Sequence, residues 1–157
     1  MKHLSIAGFT LLVMCHTTPS VMAQDANKGI SETANSINLY VGLFDVNVNY
    51  ERNIVERSKS LSNLRLGFGY AMLFVAGEGY YVNGVYVHLF GAKNSHLEVN
   101  AGAKYMLTNS ISDPAFSDQL IPEIYLGYRF EKPTGGIIFR TGLSYPTFVN
   151  LGLGYKF

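Results

Sequence analysis

Thr147-Phe148-Val149-Asn150-Leu151-Gly152-Leu153-Gly154-Tyr155-Lys156-Phe157 alternates from end to end. Its odd positions, Thr147, Val149, Leu151, Leu153, Tyr155 and Phe157, form one row, and its even positions include Asn150, Gly152, Gly154 and Lys156. A helix repeats every 3.6 residues and a strand every two, so the stretch predicts a strand with one apolar face and one polar or empty face.

The same period recurs upstream. Ile137, Phe139, Thr141 and Leu143 alternate with Ile138, Arg140, Gly142 and Ser144, and Ile124, Leu126, Tyr128 and Phe130 with Glu123, Tyr125, Gly127 and Arg129. Leu97, Val99, Ala101, Ala103, Tyr105 and Leu107 oppose Glu98, Asn100, Gly102 and Lys104. Tyr81, Val85, Val87 and Leu89 are set against Gly84, Tyr86 and His88. Leu64, Leu66, Phe68, Tyr70, Met72 and Phe74 face away from Arg65, Gly67, Gly69 and Ala71. Phe44, Val46, Val48 and Tyr50 face away from Asp45, Asn47, Asn49 and Glu51, and a shorter run sets Ile37, Leu39 and Val41 against Ser36, Asn38 and Tyr40. Eight strands result, with no long helical pattern between them.

Alternation alone does not say which face is inside; a soluble, lipocalin-like barrel would bury the apolar one. Glycine and charge decide it. Gly42, Gly67, Gly69, Gly84, Gly102, Gly127, Gly142, Gly152 and Gly154 share the face that carries the charges. On an outer surface they would only weaken the strands, whereas in a narrow eight-stranded barrel they make room for large side chains. The apolar face carries no charge within any strand except Arg52, at a strand end. A charge facing lipid at mid-membrane costs ~2–4 kcal/mol, so this face suits lipid contact. The expected fold is all-β: a closed, antiparallel, up-and-down transmembrane β-barrel. Strands of ~10 residues, tilted by about 40°, cross roughly 25 Å of membrane. Closure is required because an edge in lipid leaves backbone groups unpaired.

With Phe157 placed in the periplasm, 145–147, 108–118 and 76–79 become outer loops, and 132–135, 92–95 and 53–60 inner turns. An N-terminus on the same side demands an even strand number, so 36–52 is divided near Gly42. Aromatic residues fall at two levels: Phe44, Phe74, Tyr81, Tyr105 and Tyr145 toward the outside, and Tyr50, Tyr128, Phe130, Tyr155 and Phe157 toward the periplasm.

Residues 1–23 stand apart. A basic start at Met1-Lys2-His3, an apolar stretch to Cys15 and Val21-Met22-Ala23 before Gln24 form a signal-peptide pattern, too short for a membrane-spanning helix. A lipoprotein signal ending at Cys15 would want a small residue before the cysteine, and Met14 stands there. Cleavage after Ala23 removes the single cysteine, and with it disulfides and thiolate chemistry. The polar segment 24–35 is expected to be a flexible periplasmic tail, and 36–157 the outer-membrane barrel, exported through the cleaved signal. A net charge of +1 with 15% charged residues gives no basic field for nucleic acid.

Leu151-Gly152-Leu153-Gly154-Tyr155-Lys156-Phe157, with its terminal aromatic residue, resembles the C-terminal signal read by the outer-membrane barrel assembly machinery. Leu153, Tyr155 and Phe157 would carry that signal. Asn49-Tyr50-Glu51-Arg52, Gly127-Tyr128-Arg129 and Phe139-Arg140-Thr141-Gly142 resemble small outer-membrane barrels of Bacteroidota-type bacteria, similar in architecture to OmpA/OmpX-type eight-stranded barrels. The resemblance spans roughly 36–157 and implies the fold more than an activity. Outer-membrane lipid and lipopolysaccharide, and the assembly machinery during biogenesis, are the partners it implies, with the protein a monomer.

Three functional readings follow. The first is a structural or interaction protein whose interior is filled by a charge network of Asp45, Glu51, Glu98 and Glu123 against Arg65, Lys104, Arg129, Arg140 and Lys156. The second is a narrow or gated pore, disfavoured because mixed signs pair rather than form a ring of one sign. The third is a lipid A-modifying enzyme. His88 and His96 are the histidines left after processing, both placed inside, and neither stands in a recognisable serine-histidine arrangement; Ser95 and His96 read as turn residues. No metal or cofactor is assigned. Two histidines on different strands make no ligand motif, and Asp113-Pro114 and Asp118 are ordinary turn chemistry.

Overall fold

The structure, a computed structural model, describes residues 35–57, 59–73, 77–91, 93–107 and 120–157. The leader 1–23, the tail up to residue 34, Phe74 and the 108–118 loop with Asp113, Pro114 and Asp118 lie outside them.

The eight strands are β1 (Asn35–Gly42), β2 (Asp45–Arg57), β3 (Ser60–Leu73), β4 (Gly77–Phe90), β5 (Ser95–Met106), β6 (Leu120–Phe130), β7 (Gly136–Tyr145) and β8 (Phe148–Lys156). Each pairs antiparallel with the next, and β1 pairs with β8, so the sheet is a closed barrel. The chain does divide at Gly42, where Leu43 and Phe44 make the turn between β1 and β2. Closure reaches the last residue: the Asn35 N–H donates to the Phe157 carbonyl at 3.3 Å, and the Phe157 N–H to the Asn35 carbonyl at 2.9 Å. Following the registers once around returns to β1 about ten residues from the start, a stagger in keeping with strand tilts of about 35–45°. We call the end holding Asn35 and Phe157 the terminal end.

Side chains sort by parity. Leu39, Val48, Leu66, Phe68, Leu97, Leu126, Leu143 and Leu153 point outward and are exposed, while Asn38, Glu51, Arg65, Glu98, Arg129 and Arg140 point inward and are buried. Among the described strand residues, outward charges lie toward the ends of the barrel, at Arg52 and Arg57 of β2 on the terminal side, where Arg52 pairs with Asn35, and at Glu78 near the start of β4 on the other. The interior glycines are places of close approach. A Cβ at Gly152 would lie 2.6 Å from Arg140 Cγ, and one at Gly142 would lie 2.8 Å from the Tyr125 ring and 2.5 Å from the Leu126 carbonyl oxygen. A side chain at either position would displace the groups that fill the barrel.

Several expectations need correction. β4 is turned over: Tyr81, Val85, Val87 and Leu89 are buried inside, and Gly84, Tyr86 and His88 face out. Gly84 therefore leaves the glycine face, and Tyr81 leaves the outer aromatic level. The reason is that one wall of the interior is apolar. Val85, Val87 and Leu89 pack with Leu61 toward the terminal end, and Tyr81 packs with Ala71, Met106, Ile121 and Phe44 at the other. Phe44 is accordingly half-buried rather than lipid-directed.

Thr147 likewise leaves the apolar row. Phe148 has φ 61, in the left-handed region, and this breaks the alternation before β8. Thr147 is buried, with its hydroxyl 2.7 Å from that of Ser144.

Boundaries also differ. β2 runs on to Arg57 through a register shift between Asn53 and Val55, so most of 53–60 is strand. Such a bulge interrupts the period of two without ending the pairing. Gly77 to Gly79 belong to β4, Ser95 to β5 and Asn35 to β1.

Candidate functional site

On β2, positions 45, 47, 49 and 51 share the inward face, so Asp45, Asn47, Asn49 and Glu51 form a polar line along the barrel axis. Glu51 lies directly across from Arg65 on β3. Arg65 contacts Glu51 Oε2 and Glu98 Oε1, each at 2.7 Å. Arg129 and Arg140 are cross-strand neighbours on β6 and β7. Two like charges so placed repel, and the carboxylates opposite them relieve this. Arg129 reaches Glu51 Oε1 at 2.5 Å and also pairs with Glu131. Arg140 reaches Glu98 at 3.1 Å and Glu51 at 3.4 Å.

Neutral groups complete this layer. Asn63 donates to Glu51 at 2.6 Å, Asn100 donates to Glu98 at 2.8 Å, and Arg140 donates to Asn38 at 3.0 Å and to the Tyr40 hydroxyl. Two guanidiniums lie close to the Tyr40 ring, with Arg65 Cζ 4.8 Å and Arg140 Cζ 4.9 Å from its centroid. Such contacts add to the ion pairs when the cation is desolvated. Removing any one partner would strand a buried charge.

Two smaller groups flank the layer. Toward the terminal end, Lys156 pairs with Glu131 at 3.0 Å. At the opposite end, Lys104 pairs with Asp45 at 2.6 Å over the Tyr81 ring, whose hydroxyl donates to the same carboxylate at 2.8 Å. The interior thus balances five carboxylates (Asp45, Glu51, Glu98, Glu123, Glu131) against five cations (Arg65, Lys104, Arg129, Arg140, Lys156). A polar cleft opens on either side of the layer. One is lined by Ser36, Glu51, Arg129 and Lys156, and the other by Asp45, Asn49, Arg65, Asn83, Glu123 and Tyr125.

Two placements differ from the sequence reading. Among the described residues Glu123 meets no arginine; it accepts a hydrogen bond from Asn83 at 3.1 Å. Its place beside the arginines is taken by Glu131, which the strand pattern omitted because it was ended at Phe130. The parity 123, 125, 127, 129 extends to 131 and would have found it. Tyr40, Asn38 and Asn63 were also missed as arginine and glutamate partners, since neutral residues at inward positions carry no distinguishing mark in sequence.

The histidines part company. His96 is inside and buried, while His88 faces out, with its Nδ1 3.0 Å from the Ser62 hydroxyl. Tyr86 donates to that hydroxyl at 2.8 Å. A serine-histidine contact therefore exists that the sequence reading did not find, because His88 was placed inside. Among the described residues no carboxylate meets the His88 ring, which packs against Phe90 at 4.4 Å. Ser95 turns outward to the Tyr128 hydroxyl at 2.9 Å, away from His96.

Leu153, Tyr155 and Phe157 lie on the outward face, 58%, 59% and 50% exposed. The Phe157 ring fills no interior space, and its backbone makes the closing bonds to Asn35. If this closing strand is an outer-membrane assembly signal, Phe157→Ser should refold into detergent with nearly wild-type stability, but accumulate in cells at a several-fold lower level of assembled barrel. Equal levels of the two proteins in outer-membrane fractions would remove Phe157 from the assembly signal.

Comparison with protein-family models, with curated proteins and with solved structures finds no match for this chain.

Proposed function

We propose that the protein is a monomeric outer-membrane barrel with a structural or interaction role, closed to flow by its own side chains. The observation that carries this is the coincidence of two opposite surfaces on one closed sheet. Among the described residues a continuous apolar outer face is free of charge away from the two ends of the barrel, and a charge-balanced interior is crossed by the Arg65, Arg129 and Arg140 layer. In water the first surface would be an aggregation hazard, and in lipid it is the required one. Outward aromatic residues near the two ends, Tyr50, Tyr86, Phe90, Tyr128 and Tyr155 toward the terminal end and Tyr80, Tyr105 and Tyr145 toward the other, suit interfacial girdles. In this reading the terminal end faces the periplasm.

The test combines location with conduction. The mature protein should fractionate with the outer membrane, begin at Gln24 by mass spectrometry, and show little steady conductance after reconstitution into planar bilayers. Recovery as a soluble periplasmic protein would return it to the lipocalin-like class. Robust, selective wild-type conductance, altered in Arg129→Ala or Arg140→Ala without loss of stability, would replace the plugged barrel by a pore.

A further inference from the structure

The cleft opposite the terminal end has a one-sided chemistry. Each amide along it has its NH₂ group committed. Asn47 donates to Asp45 at 3.3 Å and to the Tyr81 hydroxyl at 2.8 Å, Asn49 donates to the Asn47 carbonyl, and Asn83 donates to Glu123. These bonds fix which way the amides point. The oxygens Asn49 Oδ1 and Asn83 Oδ1 are left buried without a hydrogen-bond partner, although both residues are more than nine-tenths buried and line the cleft. Asp45 Oδ1 and the Tyr125 hydroxyl in the same cleft are also unpartnered.

The two amide oxygens converge. Asn49, Gly67 and Asn83 sit side by side on β2, β3 and β4, and both oxygens lean over Gly67 into the space that a Cβ there would occupy. Charge accounting adds a sign. Lys104 answers Asp45, and arginines or Lys156 answer Glu51, Glu98 and Glu131. Glu123, next to Asn83, has an amide as its partner and no cation within ion-pair distance among the described residues.

We propose that this cleft binds a monovalent metal cation, sodium or potassium, held by the Asn49 and Asn83 carbonyl oxygens beside the Glu123 carboxylate. Carbonyl and carboxylate oxygens are the ligands hard cations take, and a buried acceptor without a donor is satisfied by such an ion. A single carboxylate without an ion-pair partner of its own suits a single positive charge, whereas calcium sites gather six to eight oxygens, with several carboxylates among them.

The test uses the mature barrel in detergent at constant ionic strength, with choline chloride replaced stepwise by sodium or potassium chloride. The unfolding temperature should rise by a few degrees and saturate, as expected for an ion that binds the folded state alone. Sodium NMR relaxation should report the same saturable site. Glu123→Gln should weaken the apparent affinity about tenfold, the effect of removing one nearby charge in a partly buried site. Gly67→Ala, which puts a methyl group between the two oxygens, should abolish the ion dependence. Gly84→Ala, whose added Cβ meets only Leu66 at 3.7 Å, should retain it. If Gly67→Ala does not fold, Glu123→Gln decides the matter alone. Identical unfolding in choline, sodium and potassium means that the amide oxygens are merely hydrated, and overturns the proposal. So does an unchanged affinity in Glu123→Gln.

Discussion

Glu51→Ala is expected to destabilise the barrel more than any other single substitution in the interior, by about 3–5 kcal/mol where burial is complete. Three guanidiniums converge on this carboxylate, from Arg65 at 2.7 Å, Arg129 at 2.5 Å and Arg140 at 3.4 Å, and Asn63 adds a fourth donor at 2.6 Å. Removing it leaves the three cations to share Glu98 and Glu131. Arg129→Ala and Arg140→Ala should each cost less, because Glu51 keeps its bonds to Arg65 in both. The double substitution Glu51→Ala with Arg129→Ala should recover part of the single loss, because it removes a cation together with its anion. Urea unfolding in detergent, monitored by tyrosine fluorescence, gives the four free energies. A Glu51→Ala protein within 1 kcal/mol of wild type would show that water in the adjoining cleft already screens the layer, and would deprive the plug of its energetic basis.

The second large effect lies on the other face. Leu126 is 55% exposed, midway along β6 between Val99 and Leu143. In a lipid bilayer Leu126→Arg should cost ~2–4 kcal/mol, while arginine at Tyr155, near the terminal end, should cost ~0–1 kcal/mol. Reversible folding into liposomes measures both. If the barrel works in water, Leu126→Arg replaces an exposed apolar group by a solvated one, and its cost vanishes or changes sign. The gradient with depth is thus a direct test of the membrane reading, and no change to the interior is needed to read it.

How far the fold could be read depended on how different the two faces of each strand were. On β8 one face is Val149, Leu151, Leu153 and Tyr155 and the other Asn150, Gly152, Gly154 and Lys156, so parity is unambiguous. On β4 both faces are largely apolar: Tyr80, Val82, Tyr86 and Phe90 outside, Tyr81, Val85, Val87 and Leu89 inside. Gly84 was then the deciding mark, and it misled, because an outward glycine is tolerated where its neighbours leave open space. Asn83, with the parity of Tyr81 and Val85, was the better indicator. The charge layer was legible in its inward members because burying so many ionisable groups demands partners. Who partners whom was not. Glu51 meets Arg129 and Arg140 from the opposite wall, a relation fixed by barrel diameter and stagger and not by separation along the chain.

The charge layer also bears on how the barrel opens. Asn38 and Tyr40 come from β1, Glu51 from β2, Arg65 from β3, Glu98 from β5, Arg129 from β6 and Arg140 from β7. Glu51 and Arg65 pair across the neighbouring strands β2 and β3, but most other links of the layer join strands that are not neighbours. Parting the β1–β8 seam carries Asn38 and Tyr40 away from Arg140, and parting the β2–β3 seam carries Glu51 away from Arg65. A one-residue slip at any seam turns an inward row outward. Closure and register therefore decide how far Arg140 is satisfied: with the β1–β8 seam parted it loses Asn38 and Tyr40, while Glu51–Arg65, across β2 and β3, keeps its pairing.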